Sequence, residues 1–318
     1  MEGLICTLKI PKKQIDRFLD LLNDIREVFK EKIADIASLT GGISNRSFSV
    51  QLESGKKLVL RLAASDYGEV VDRSKEKHNA MAAAKINVSP KVYSFRENGD
   101  EVIEFLELPT MHPEDFQNRL DVMEAAAGIL NRFHRESEEF YGIFDPVERI
   151  RNFENMAKEN GFEEKYEGWE RIDRAVERIG EIYKKNPPEL CPCHCDTLAE
   201  NFMYDGKTIK LIDWEFGGMC DPYYDASGVL TENELDENAC AAFIRAFCEG
   251  EPTEEQKARI YVDRFLYCTY WSNWALAMIS LGRDRSFCYP YGEERAKLGI
   301  SYLDDPNFEG YLKTLENL

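Results

Sequence analysis

Apolar residues first recur at helical spacing. Ile15, Phe18, Leu19, Leu22, Ile25, Val28 and Phe29 predict an amphipathic helix over roughly 11–31. The period then changes. Residues 47–52 alternate, and 57–62 form an apolar run of the kind a buried strand carries. Glu53, Ser54 and Gly55 supply the turn between them, so the pair reads as a hairpin. A second hairpin is predicted from 91–95 and 102–106 around Asn98-Gly99, with a helix over 73–86 between the two. From Pro113 the pattern is mostly helical, over 114–135, 148–160, 163–184, 236–248, 254–282 and 292–303. One mixed island, 189–216, interrupts it. The N-terminal third is therefore β-rich and the remainder α-rich with one small sheet. No internal repeat is present.

Length and composition narrow this picture. At roughly 150 residues per domain, 318 residues suggest two domains or lobes. The boundary falls near 104–109, which divides the chain into 1–107 and 108–318. With 43% apolar and 31% charged residues the composition is globular. The net charge of −19 argues against general nucleic-acid or anionic-membrane binding, which needs clustered Lys and Arg. Residues 265–282 carry no charge for 18 positions, close to a membrane-span length, but Thr269, Ser272, Asn273 and Ser280 favour a buried helix. The first residues, Met1 to Gln14, lack a long apolar stretch, and nine cysteines is an odd number. Both point to a cytoplasmic protein with free thiols.

The island carries the chemistry. It contains Cys193-His194-Cys195-Asp196, then Asn201, and a hairpin across Asp205-Gly206 that returns to Leu211-Ile212-Asp213. Asn201 and Asp213 meet at the open end of that hairpin, where an amide oxygen and a carboxylate suit a hard cation such as Mg²⁺. Asp196 lies in the preceding loop. One Asp to orient the nucleophile's proton, with Asn and a second Asp for metal, is how kinase-type phosphoryl transfer is built. The cluster Cys191, Cys193, His194 and Cys195 invites a zinc reading, but no second pair of ligands follows downstream. These cysteines read as buried fillers, and His194 as a residue that shapes the loop. In the N-terminal third, Gly41-Gly42-Ile43-Ser44-Asn45 offers backbone N–H groups to phosphates. Arg61 ends a strand and Glu76 sits on the next helix, the paired cation and carboxylate that position phosphates in kinases.

These segments resemble the aminoglycoside phosphotransferase/choline kinase superfamily, and within it the bacterial choline kinases. Gly41–Asn45 is similar to that group's phosphate loop. Arg61 matches its use of arginine at the strand position, and Val71-Asp72-Arg73 with Glu76 its helix start. Leu211-Ile212-Asp213-Trp214-Glu215-Phe216-Gly217-Gly218-Met219 with Asp221-Pro222 and Asp225 is similar to its most specific run. Cys195 and Pro192-Cys193 depart from the usual residues around the His and Asp. The resemblance implies a two-lobed, protein-kinase-like α+β fold with ATP in the cleft, its adenine against the 104–108 hinge near Glu104 and Leu106. It implies Gly42, Ser44, Asn45, Arg61 and Glu76 around the phosphates, Asp196 as the catalytic base, and Asn201 and Asp213 on Mg²⁺.

The resemblance extends to the acceptor. Trp271 and Trp274 are three apart on one helix face, as in the family's W-x-x-W, with Tyr289 and Tyr291 following. A trimethylammonium cannot donate hydrogen bonds, so aromatic faces and a carboxylate suit it. Glu215 is the first choice for that carboxylate and Glu232 the second. Choline is thus the expected acceptor, with ethanolamine, thiamine or an aminoglycoside as alternatives within the superfamily. A non-catalytic nucleotide- or choline-binding module is the alternative of another class. The expected partners are a small amino alcohol and, as an open option, a second copy of the chain in a homodimer.

Overall fold

The structure, a computed structural model, describes residues 8–39, 45–64 and 70–318. Gly42 and Ser44 lie outside these residues. Helix α1 (Ile15–Phe29) buries Phe18, Leu21, Leu22 and Ile25 against an antiparallel sheet. The sheet comprises β1 (Ile33–Ser38), β2 (Arg46–Leu52), β3 (Lys57–Leu62), β4 (Val92–Phe95) and β5 (Glu101–Glu104), in the order β1-β2-β3-β5-β4. Both expected hairpins form. Val50 pairs with Leu58 in the first, and Phe95 with Glu101 in the second. Gly99 sits in the second turn at φ +86°, a left-handed conformation that favours glycine. Strand β1 was not expected. Its short edge exposes most of its side chains, so it lacks the apolar alternation that marks a half-buried strand.

Helix α2 (Arg73–Lys85) starts where Asp72 accepts hydrogen bonds from the amides of Ser74 and Lys75. After β5 the chain crosses to the helical part, and Met111 donates its amide to the carbonyl of Phe202. The helix expected over 114–135 breaks at Arg119, whose extended backbone separates α3 (Pro113–Asn118) from α4 (Leu120–Glu136). Helix α5 (Pro146–Glu159) follows. Helix α6 (Trp169–Lys185) starts later than its apolar pattern suggests, because Gly168 turns left-handed at φ +77°. The island forms β6 (Cys191–Cys193), β7 (Phe202–Tyr204) and β8 (Ile209–Leu211). β7 pairs with β8 as expected, and β6 pairs with β9 (Gly218–Cys220). Then come α7 (Pro222–Glu232), α8 (Glu237–Phe247), α9 (Glu254–Ser280), α10 (Arg285–Asp304) and α11 (Phe308–Glu316).

Helix α9 spans the uncharged stretch and packs against α5, α7, α10 and α11. Phe265, Leu266, Tyr267 and Tyr270 on it are fully buried. A helix covered on every side needs no polar face, which is why its residues show little amphipathic period. Among the described residues no helix is long and apolar enough to cross a membrane.

Candidate active site

The site forms where β3, α2 and β5 face the loops that flank β7 and β8. Arg61 at the end of β3 is buried and bonds Glu76 of α2. It also pairs with Glu101 of β5 at 2.8 Å and with Asp213 at 3.2 Å. Arg73 donates to the other oxygen of Glu76 at 2.7 Å and to Glu215 at 3.3 Å. Four carboxylates thus share two guanidiniums, leaving two negative charges in excess when all are ionised. Burial, with Asp213 adding to it, pushes Glu215 up to about 8. Burial also pushes Glu101 up to about 7 against the pull of Arg61. The network is therefore short of positive charge. Oxygen atoms of Glu76, Asp213 and Glu215 lie within 4.8 Å of one another. An all-oxygen donor set with two charges in excess fits a hard divalent cation. Both oxygens of Glu76 are occupied by arginine, whereas the Asp213 side chain is 36% exposed and faces the cleft.

Asp196 and Asn201 stand next to Asp213, where the Ile212 amide donates to the Asn201 carbonyl at 3.0 Å. The Asn201 amide donates to the Asp196 carbonyl at 2.8 Å and to its carboxylate Oδ2 at 3.3 Å. The Asp196 Oδ1 has no partner among the described residues. Burial holds the Asp196 carboxyl well above the usual carboxylate range. The charges of Asp213, Glu232 and Glu215 add to this, and the Asn201 hydrogen bond opposes it. Cys195 and Asp213 both adopt left-handed backbone, at φ +63° and +66°. Such strain in non-glycine residues costs of order 1–3 kcal/mol and persists only where surroundings impose it.

Asp225 imposes it on the loop. One carboxylate oxygen accepts from the His194 amide at 2.9 Å and the other from the Cys195 amide at 2.7 Å. His134 bonds the same carboxylate at 2.9 Å. Thr197 Oγ1 donates to the Asp225 carbonyl at 2.7 Å. A Cβ at Gly228, one turn on, would lie 2.2 Å from that Thr197 hydroxyl oxygen, so α7 packs onto the loop only through glycine. His194 Nε2 donates to the Ile212 carbonyl at 2.8 Å, which ties the loop to the segment after β8 that carries Asp213. Burial lowers the His194 pKa and keeps the ring neutral. Asp225 and Arg73 stand within motifs legible in the sequence that give neither of them a task, whereas Glu101 and His134 carry no such mark. The available signal was a carboxylate or imidazole set among apolar neighbours, as Glu101 is beside Val102-Ile103.

Two clefts adjoin the network. The first is lined by Arg61, Glu76, Ser89, Val92, Glu101 and Trp214. The second, about 680 Å³, opens beyond Arg73 and Glu215 towards Arg149 and Phe153 of α5. Of the residues expected near the nucleotide, Asn45 accepts from the Ala64 amide at 3.1 Å. Glu104 ends β5, where its amide donates to the Lys91 carbonyl at 2.8 Å. Leu106 is half-buried in the crossing segment.

The aromatic residues divide. Trp271 packs edge-on against Phe216 at 5.3 Å and against Trp274 at 5.5 Å, and Trp274 reaches Tyr291 at 6.1 Å. Both indoles are nearly buried and line neither cleft. Tyr289 turns away, onto Tyr166 at 5.1 Å and beneath the Arg285 guanidinium. Burial raises Tyr267 and Tyr291, and the negative charges of Glu232 and Asp196 add to the rise in both. Glu232 pairs with Arg295 at 2.8 Å, and that guanidinium lies over Tyr291.

The family model for choline/ethanolamine kinase matches residues 36–273. A choline/ethanolamine kinase family protein from Mesorhizobium loti superposes with a TM-score of 0.80 at 24% identity, covering 90% of this chain and 93% of that one. Choline kinase LicA from Streptococcus pneumoniae gives a TM-score of 0.74 at 23% identity, covering 91% and 99%. Protein LicA of Haemophilus influenzae is 25% identical over 247 residues, 74% of this chain and 71% of that protein.

Proposed function

The chain belongs to the choline/ethanolamine kinase family, an ATP-dependent small-molecule phosphotransferase with a kinase-like fold, and from that premise we propose that its acceptor is choline. The observation that carries this reading is the aromatic cluster of Trp271, Trp274, Phe216 and Tyr291, with the Glu232–Arg295 pair against Tyr291 at its edge. A quaternary ammonium is attracted to aromatic faces and to a nearby carboxylate, and it offers no N–H to a hydrogen-bonding site.

In this reading ATP lies in the cleft between sheet and helices, with its adenine near Glu104 and Leu106. Asn45 and Arg61 approach the phosphates, and Glu76 and Glu101 hold Arg61 in place. Asp196 directs its unpartnered oxygen at the choline hydroxyl and takes its proton as the hydroxyl oxygen bonds to the γ-phosphorus, while the bond from that phosphorus to the β,γ-bridging oxygen breaks and ADP leaves. Burial and acidic neighbours raise the affinity of Asp196 for a proton, which favours its taking one from the hydroxyl. Asn201 and Asp213 would hold Mg²⁺. When bound, Mg²⁺ neutralises the charge on the phosphoryl oxygens. Asn201 meanwhile keeps Asp196 aligned through its amide.

The test is ADP release from ATP and Mg²⁺ in the presence of choline, ethanolamine, thiamine or an aminoglycoside. Choline should give the highest kcat/KM. Faster turnover of ethanolamine would mean that hydrogen bonds select a primary ammonium and would overturn the aromatic reading. Failure with all four acceptors would favour a binding module.

A further inference from the structure

Behind the catalytic loop lies a cluster that phosphoryl transfer does not use. Cys191 and Cys193 alternate along β6 and so face the same side of the strand. Their sulfurs are 3.7 Å apart. A ring nitrogen of His134, in the last turn of α4, lies within 4.8 Å of both. Cys193 and the His134 ring are buried, while Cys191 is only half-buried and leaves a path from solvent. We infer that Cys191, Cys193 and His134 form a binding site for a soft or borderline divalent metal of the zinc type.

The geometry fits such an ion. Two Zn–S bonds of about 2.3 Å at a tetrahedral angle set their sulfurs about 3.8 Å apart. Thiolate and imidazole together select zinc-like ions over Mg²⁺ or Ca²⁺. His134 also bonds the Asp225 carboxylate at 2.9 Å, and a carboxylate behind an imidazole is the arrangement that orients a metal-binding histidine. Binding converts two thiols to thiolates and releases two protons to water, so a divalent ion enters as a neutral set. Three protein donors leave a fourth position to an external ligand. Linear spacing hid this site, because the third ligand is not a downstream knuckle. It comes from a helix more than fifty residues upstream, brought to β6 by the packing of α4. The same Asp225 holds the amides of His194 and Cys195, so a metal here would brace the loop that carries Asp196.

The test uses the full chain, reduced and stripped with a chelator, then titrated with Co²⁺ and, in competition with a chromogenic chelator, with Zn²⁺. One Co²⁺ per chain should bind, with thiolate-to-metal charge-transfer absorption and the intense visible bands of a tetrahedral site. Cys191→Ser, at a half-buried position, should keep the parental circular dichroism, lose part of the charge-transfer intensity and weaken Zn²⁺ by at least about tenfold. His134→Asn should weaken it similarly, and Cys248→Ser, a thiol elsewhere on the chain, should leave it unchanged. Absence of thiolate charge transfer in the parent, or parental Zn²⁺ affinity in a folded Cys191→Ser variant, would overturn the site.

Discussion

Arg61 donates to Asp213 at 3.2 Å, a hydrogen bond between residues 152 apart in sequence that ties the sheet to the helical part of the chain. Asp213 is thereby held by a guanidinium on one side and remains open to the cleft on the other. If the open side binds Mg²⁺ with the nucleotide, Asp213→Ala should abolish turnover and flatten the dependence of ATP affinity on Mg²⁺. Calorimetric titration of ATP with and without Mg²⁺ reads this directly. A variant with parental metal dependence would move the metal site elsewhere, with Glu76 and Glu215 as the remaining oxygens.

Asp196→Asn separates a chemical role from a structural one. Loss of a positioned base costs about 10²–10⁴ in rate. The carboxyl is buried beside Asp213, Glu215 and Glu232, so ionising it opposes folding, and the neutral amide removes that opposition. Turnover should therefore fall by at least the smaller factor while the melting temperature holds or rises. Parental turnover, or collapse of the fold, would contradict the assignment.

Glu101 links the network to pH. Burial raises its folded pKa to about 7, above the ordinary carboxylate value of 4.5. The folded state thus binds the proton more tightly than the unfolded chain. That contribution is complete below pH 4.5 and is lost as pH rises through about 7. Glu101→Gln lacks the titration. Urea unfolding of both proteins at several pH values should show the variant gaining on the parent between pH 5 and 7, by on the order of 1–3 kcal/mol. A constant difference across that range would show that Arg61 keeps Glu101 ionised throughout.

Much of this arrangement is legible in linear order, for reasons that differ by element. The β7–β8 hairpin follows from Asp205-Gly206 between two short apolar runs, and it alone brings Asn201 near Asp213. Arg61 and Glu76 are legible because a charged residue closes an apolar strand and another opens the next helix. Glu101 lies one residue before the run 102–106 that reads as a strand, and only the β3–β5 pairing sets it opposite Arg61. Asp225 and His134 meet across 91 residues through helix packing, which no local period encodes. Helix α7 was missed because almost every side chain on it is buried, so no polar face marks its turns.

The aromatic cluster proposed for the substrate gives the sharpest test of choline. The indoles of Trp271 and Trp274 touch edge-on at 5.5 Å and are nearly buried, so they could serve either as core or as a face for an ammonium group. The two roles predict different kinetics. A cation–π contact contributes about 0.5–2 kcal/mol when desolvated. Losing one should raise the choline KM about 2- to 30-fold, at about 1.4 kcal/mol per tenfold. Trp271→Leu and Trp274→Leu should each do this while leaving the ATP KM near its parental value, because the cleft proposed for the nucleotide is lined by Arg61, Glu101 and Trp214 and not by either indole. A purely structural indole would instead lower stability and turnover together, with the choline KM unchanged. Steady-state kinetics in both substrates, with melting temperatures for each variant, distinguish the two. Unchanged choline KM in both variants would return the indoles to the core and remove the main physical support for a quaternary ammonium substrate.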